Sequence, residues 1–303
     1  MMVRMLVFDE DRVRRYLSYE MLIPALEQAL IRFSAGLVAQ PVRSILGIPE
    51  HHGRFGLMPC TDGDMMGVKL VTVFEDNTSL PTHQAVIQLF SAMTGEPLAV
   101  LDGRLITEMR TAAVTAIAAR LFTQARPLTV AILGSGVQAR SHLAALRHVR
   151  ELREIRVWSR TPENARAFAS KTGAIPLPME DAVRGADMVI GVANVSEPLI
   201  HGRHLSETAF VAAIAAVGAS RRELDDEAMQ ASIIVESSEA ARLESGDIMA
   251  TGVPIYAELG EILAGKIALP PEGRRVVYKG LGIAVEDLAA ARVVYEAAGG
   301  QAN

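Results

Sequence analysis

The chain has 303 residues, half of them hydrophobic but only 5% aromatic, and 35 acidic against 30 basic residues give a formal charge of -5. That is enough chain for two domains with aliphatic, alanine-filled cores, and the acidic balance without a basic cluster argues against nucleic acid or an acidic membrane as partner. Cys60 is the only cysteine, which excludes an internal disulfide and a multi-cysteine metal site and fits a cytoplasmic setting. The start, MMVRMLVFDEDRV, has no long apolar run of the kind a signal peptide carries, and no uninterrupted apolar stretch reaches membrane-spanning length. No HExxH or comparable histidine cluster points to a metal, and no GxSxG elbow points to serine hydrolysis.

The run 5–8 is a strand candidate, and Asp9 or Asp11 can cap a helix behind it. Residues 20–33 place Leu22, Ile23, Leu26, Ala29, Leu30 and Phe33 at helical spacing, with Gly36 as the stop. An extended run follows at 40–46, then strands at 53–59 and 66–74, and two more at 86–90 and 98–101 joined by a turn at Gly95 and Pro97. A helix over 105–121 leads to the junction Arg126-Pro127. Beyond it the pattern alternates. Strands are predicted at 128–133, 155–158, 188–192, 210–217 and 232–235, and helices at 138–149, 162–171, 178–186 and 223–231. Such alternation makes a parallel sheet flanked by helices. Glu236 and Glu239 read as solvated. The tail is predicted as a helix over 255–263, a strand over 275–278, a flexible turn at 279–282 and a helix over 284–297, with Asp287 near its start, where negative charge is favourable.

The most informative stretch is 128–149, LTVAILGSGVQARSHLAALRHV. Strand, glycine turn and helix is the context in which Gly134, Gly136 and Ala139 form a dinucleotide site: a tight turn, a close backbone approach to pyrophosphate, and close helix–strand packing. The free N–H groups at the helix start hold phosphate. The bland reading is a tight strand–helix turn that binds nothing. The end of the next strand reads Ser159-Arg160-Thr161, without the acidic residue that would accept from a ribose hydroxyl and repel a 2'-phosphate. Arginine between two hydroxyls suits that phosphate, so the expected cofactor is NADP(H), with NAD(H) as second candidate; the bland reading of Arg160 is a solvated loop residue.

Arg43, Lys69 and Arg110 lie within or beside apolar segments, an expensive place for charge unless it is paired. Either a small anionic substrate or structural ion-pair partners would compensate. Arginine holds a carboxylate through two parallel bonds, and a lysine whose pKa is lowered by desolvation and cationic neighbours becomes a proton donor.

Ordered motifs along nearly the whole chain resemble the ornithine cyclodeaminase/mu-crystallin family: RFSAGLVAQPVR at 32–43, GVK at 67–69, LPTH at 80–83, TEMRTAA at 107–113, GSGVQA at 134–139, VGAS at 217–220, ESGDI at 244–248 and GIAVED at 282–287. The resemblance implies that Arg43, Lys69 and Arg110 surround a substrate carboxylate, with Thr82 at another pocket position. It also implies that Thr111, the 134–139 turn including Ser135, Val137 and Gln138, and Ser159 to Thr161 contact the nucleotide. Cyclodeaminases of the family carry an aspartate where this chain has Ser220, which is assigned here to the cofactor side. With the NADPH signal, that difference favours reduction of a small cyclic imino acid, pyrroline-2-carboxylate or piperideine-2-carboxylate, to L-proline or L-pipecolate. Ornithine cyclodeaminase, an alanine or other amino-acid dehydrogenase, and a non-catalytic NADPH-binding protein are the alternatives. The loops at 75–80 and 220–223 are shorter than the family pattern. The resemblance further implies a homodimer. The expected fold is α/β: a strand-rich α/β substrate and dimerisation domain over 1–125, a Rossmann-type parallel-sheet NADP(H)-binding domain over 126–283, and a helix over 284–303 returning to the first domain.

Overall fold

Period-two burial organises the first section: in His83–Ser91 the residues Ala85, Ile87, Leu89 and Ser91 are buried and their neighbours are not. In the computed structural model, which describes residues 5–300, this section belongs to a unit formed by residues 1–110 and 282–303, and residues 111–281 form a second. Residues 1–4, part of the start read for a signal peptide, and 301–303, the end of the expected C-terminal segment, lie outside the described residues. The first unit begins with β1 (Leu6–Phe8), α1 (Glu10–Tyr16) and α2 (Tyr19–Ser34). The Asp9 carboxylate caps α1 by accepting from Arg12 N at 2.9 Å. Then come β2 (Val38–Ala39), β3 (Ser44–Ile48), β4 (Gly53–Asp62), β5 (Met65–Phe74), β6 (His83–Ser91) and β7 (Pro97–Asp102), in the sheet order β1-β7-β6-β5-β4-β2 with β3 also on β4. All pairs are antiparallel except β1 with β7. The register sets Lys69 of β5 between Met58 of β4 and Ile87 of β6, on the buried face. Helix α3 (Gly103–Phe122) follows and contains the boundary between the units.

The second unit holds β8 (Leu128–Leu133), α4 (Val137–Val149), β9 (Leu152–Trp158), α5 (Pro162–Thr172), β10 (Ile175–Pro176), α6 (Met179–Val183), β11 (Met188–Gly191), β12 (Phe210–Ala213), β13 (Ser232–Val235), α7 (Ser238–Glu244), α8 (Gly246–Thr251), β14 (Ile255–Glu258), α9 (Leu259–Leu263) and β15 (Val276–Lys279). Its strands are all parallel, in the order β10-β9-β8-β11-β12-β15-β13-β14. Continuous apolar strands such as LTVAIL and SIIV are buried throughout, as a sheet covered on both faces requires. Strand order reverses between β8 and β11, the point in such sheets where ligands bind beyond the carboxyl ends. The last helix, α10 (Ala284–Ala297), belongs to the first unit and packs on α2, β4, β5 and β6.

Several sequence expectations are corrected. Residues 255–263 are a strand followed by a short helix: Ile255, Ala257 and Glu258 pair with β13, and Glu258 with Glu261 forms a capping box that starts α9. No helix forms over 223–231, because Glu223 and Asp225 bond elsewhere; the Glu223 carbonyl accepts from Leu199 N and Ile200 N, and Asp225 Oδ1 accepts from Gly202 N and Ala228 N. Strand β12 ends at Ala213, short of the predicted 217, and α6 stops at Val183 before Gly185. Glu236 is buried, accepting from Tyr278 Oη at 2.6 Å and Leu281 N at 3.1 Å, whereas Glu239 is exposed. The turn at 279–282 is buried. Helices α7 and α8, absent from the sequence reading, start at Ser237 and Ser245, whose side chains accept from Ala240 N and Ile248 N.

His142 of α4 is fully buried. Its Nδ1 lies 2.8 Å from Gln138 O, so Nδ1 carries the proton and Nε2 faces the Thr115 hydroxyl at 3.1 Å. Burial pushes its pKa down to about 4, against a partial upward pull from the Gln138 carbonyl. Between pH 6.5 and 4 the unfolded chain therefore takes up a proton that the folded chain refuses, and stability falls as pH falls through that window. Urea unfolding of wild type and His142→Asn should show the stability gap between them shrinking from pH 7 towards pH 4; a constant gap would contradict a neutral buried imidazole.

Candidate functional site

The first unit gathers the three predicted cations around the start of α10. Lys69 Nζ lies 2.6 Å from Asp287 Oδ2, and Arg110 Nε donates to Asp287 Oδ1 at 3.2 Å. Arg110 Nη1 donates to Glu286 Oε2 at 2.6 Å, and Arg43 Nη2 donates to the Gly282 carbonyl at 2.5 Å. Lys69, Arg110, Glu286 and Asp287 are all at most 5% exposed. Charges so deeply buried persist only when paired. The two acids occupy the first turn of α10, where the helix dipole favours them. Gly282 is in the left-handed region at φ +72°, and a Cβ there would lie 2.1 Å from Arg110 Nη1, so a side chain would expel the guanidinium.

Burial drives the Lys69 pKa down to about 8; Asp287 pulls it up, and Arg110 and Arg43 push it further down. For Asp287 burial acts upward but is outweighed by Arg110 and Lys69, so its carboxyl stays below the ordinary carboxylate range. His83, the first residue of β6, is pushed down to about 4 by burial and then by Lys69 and Arg110. It is thus a neutral imidazole in the same electrostatic field, and sequence reasoning quoted it only as part of a motif. Thr82 is exposed in the loop before it, its carbonyl accepting from Phe74 N at 2.8 Å; among the described residues no side-chain bond ties Thr82 to the cations. Cys60 is buried, and burial followed by Asp62 and Asp287 pushes its thiol up to about 12. Glu286 and Asp287 are the partners that sequence reasoning missed; the only signal was their place in a helix's first turn.

The second unit carries the predicted nucleotide residues. Gly134 closes β8 at φ +133°, where a Cβ would meet Val192 Cγ2 at 3.0 Å and Ala193 N at 3.1 Å, so the turn admits only glycine without strain. Gly136 is the N-cap of α4, and a Cβ there would meet nothing within 4 Å. The turn therefore presents bare backbone and the unpaired N–H groups of a helix start, including that of exposed Val137, a donor set that fits a pyrophosphate. Ser135 Oγ donates to Ser159 Oγ at 3.0 Å, joining the ends of β8 and β9. Arg160 and Thr161 are exposed, and Thr161 is the N-cap of α5. Thr111 connects to this turn: Thr115 Oγ1 lies 3.2 Å from its carbonyl oxygen and 3.1 Å from His142 Nε2, and His142 reaches Gln138 through Nδ1.

Ser220 sits exposed on a loop whose base is a buried charge network. Lys279 Nζ lies 2.6 Å from Glu223 Oε1 and 3.1 Å from Asp247 Oδ2, and donates to Ala216 O at 2.9 Å. Glu223 Oε1 accepts from Ala216 N at 2.7 Å, and Asp247 Oδ1 accepts from Glu223 N and Leu224 N at 2.9 and 3.0 Å. Burial lowers the Lys279 pKa, but Glu223 and Asp247 outweigh it and the net direction is upward, opposite to Lys69. Among the described residues no group of three His, Cys, Asp or Glu side chains is placed to hold a metal, and no helix is long and apolar enough to cross a membrane.

Replacing Lys279 with Met leaves two buried carboxylates without their cation. Such a break costs about 3–5 kcal/mol, a large part of the roughly 5–15 kcal/mol that stabilises a typical domain. Urea unfolding should register that loss, and a Lys279→Met protein as stable as wild type would contradict a paired, charged Lys279.

The chain matches the model of the ornithine cyclodeaminase/mu-crystallin family over residues 3–302. It is 43% identical over 298 residues to the ketimine reductase mu-crystallin of Mus musculus, covering 95% of this chain and 94% of that protein. The structure of Thermococcus litoralis Delta(1)-pyrroline-2-carboxylate reductase in complex with NADH and L-proline superposes with a TM-score of 0.92 at 31% identity, over 97% of each chain. An archaeal alanine dehydrogenase dimer with bound NAD has the same TM-score of 0.92 at 28% identity, over 97% of each chain. With the glycine turn of the second unit and the ion-paired cations of the first, these likenesses place the chain in the ornithine cyclodeaminase/mu-crystallin family.

Proposed function

We propose that this chain is an NADPH-dependent reductase of small cyclic imino acids, converting pyrroline-2-carboxylate or piperideine-2-carboxylate to L-proline or L-pipecolate. Its class, an NAD(P)H-dependent oxidoreductase acting on carbon–nitrogen bonds, is that of its close relatives. The observation that carries the reading is the buried cluster in which Lys69, Arg110 and Asp287 meet. The Arg110 and Arg43 guanidinium groups hold the substrate carboxylate, a pairing that gains strength from desolvation. With a pKa near 8, Lys69 is protonated at neutral pH yet gives its proton up readily, as a general acid for the imine nitrogen must. Thr82 lines the pocket from the neighbouring loop. Bound NADPH supplies the hydride that the imine carbon takes up. The turn residues Gly134, Ser135, Gly136, Val137 and Gln138 hold its pyrophosphate, Ser159, Arg160 and Thr161 its 2'-phosphate, and Thr111 and Ser220 complete the cofactor contacts. Exposure of Arg160, with no acidic side chain at 159 or 161, supports NADPH over NADH. Ser220, where cyclodeaminases carry an aspartate, supports reduction over deamination.

The chain is further proposed to be a cytoplasmic homodimer joined through the first unit. The dimer of the archaeal alanine dehydrogenase and the exposed apolar side chains Ile45, Leu46, Leu80 and Val86 support that assembly. The test of function is the initial rate of NADPH consumption with each imino acid, run beside NADH. Faster turnover with NADPH is expected. Ammonia release from ornithine without net cofactor change would replace the reading with cyclodeamination, and ammonia-dependent reduction of a keto acid would replace it with amino-acid dehydrogenation. Arg110→Ala should lower kcat/KM about 100- to 1000-fold, the scale of a lost transition-state contact, while the NADPH Kd is unchanged; unaltered turnover would contradict the assignment of Arg110.

A further inference from the structure

Asp287 takes no part in the chemistry above, yet its carboxylate touches both groups assigned to it, Lys69 and Arg110. Its Oδ2 lies 2.6 Å from Lys69 Nζ and its Oδ1 accepts from Arg110 Nε at 3.2 Å. Lys69 comes from β5, Arg110 from α3 and Asp287 from α10, so this side chain joins three elements at a single point. Resting on the reductase reading, we propose that Asp287 is a positioning residue of the reaction: its two oxygens fix the proton donor and the carboxylate clamp side by side in one geometry.

The groups that act on Lys69 can be named element by element. Asp287 acts on it from α10, Arg110 from α3 and Arg43 from the segment before β3, and Lys69 in turn helps keep His83 of β6 neutral. Asp287 also acts on Cys60 of β4, helping to hold its thiol neutral. Of these, Asp287 alone favours the charged amine; burial, Arg110 and Arg43 all oppose it. Remove the carboxylate and burial, Arg110 and Arg43 all drive the proton off Lys69. Arg110 loses its Nε partner at the same time and keeps Glu286 through Nη1.

The composition makes this measurable. The chain has four lysines, Lys69, Lys171, Lys266 and Lys279. Lys171 and Lys266 are exposed, and the two buried ones are displaced in opposite directions, Lys69 down to about 8 and Lys279 upward. Heteronuclear NMR of the full-length protein labelled with 15Nζ,13Cε-lysine therefore resolves the Lys69 titration, with Lys279 reporting the integrity of the second unit.

In Asp287→Asn the Lys69 titration should move to lower pH by about one to three units, the usual effect of an opposite charge at this range. The alkaline limb of kcat/KM for imine reduction should move with it, and the imino-acid KM should rise. Asp287→Glu, which keeps the charge, should restore the limb towards its wild-type position, and it carries the same test if the Asn variant fails to fold. A Lys69 titration unmoved in Asp287→Asn, or a fall in kcat with the alkaline limb in place, would overturn the proposal. Wild-type protein that reduces no cyclic imine, with the Lys69 titration still displaced in Asp287→Asn, would overturn the reductase reading and uphold the pairing.

Discussion

The buried charge cluster of the first unit is organised around one carboxylate, that of Asp287. Two cations on β5 and α3 sit where water is excluded, and neither position is tolerable without an anion. Asp287 supplies it to both from the far end of the sequence, 177 residues from Arg110, and Glu286 beside it pairs with Arg110 as well. That pairing gives the last helix a reason to belong to the first unit rather than to the sheet whose final strand immediately precedes it. Gly282 serves the same end: the left-handed turn at the start of the returning segment leaves space for the Arg110 guanidinium and presents its carbonyl to Arg43.

The two buried lysines show how position decides what one residue type does. Lys279 lies among Glu223, Asp247 and the Ala216 carbonyl, holds its proton firmly and ties down the base of the loop that carries Ser220. Lys69 has one carboxylate set against two guanidinium groups and holds its proton loosely. Burial acts in the same direction on both; the balance of neighbouring charge separates a firmly held proton from a loosely held one. Arginine at either place would stay charged throughout.

Much of the fold was legible because its signals are local. The strand 128–133 followed by Gly134-Ser135-Gly136 and an amphipathic helix is decided within about twenty residues, and the structure has those elements with that turn at the reversal of strand order. Segment 255–263, IYAELGEIL, fits a helix because its apolar residues are spaced around Glu258 and Glu261, and that spacing does not reveal where a strand paired with β13 gives way to a helix; the capping box at Glu258 and Glu261 marks the break. Glu236 was misread because an acid after a strand is usually solvated, and only the tertiary fold brings Tyr278 and the Leu281 N–H to it. The same limit applied at the site. The cost of placing Arg43, Lys69 and Arg110 beside apolar neighbours was visible in the sequence, but their partner was not, since an aspartate in the first turn of a helix is adequately explained by the helix itself.

The central claim is that this chain delivers hydride to the ring carbon of a cyclic imino acid and a proton to its nitrogen. Reduction of pyrroline-2-carboxylate with NADPH deuterated at the transferable position, followed by mass spectrometry of the product, tests it most directly. Deuterium at the ring carbon that bears the carboxylate, in an L-proline product formed one for one with the NADPH consumed, is the predicted result. NADPH consumed without deuterated proline, or no consumption with either imino acid and either cofactor, would contradict it.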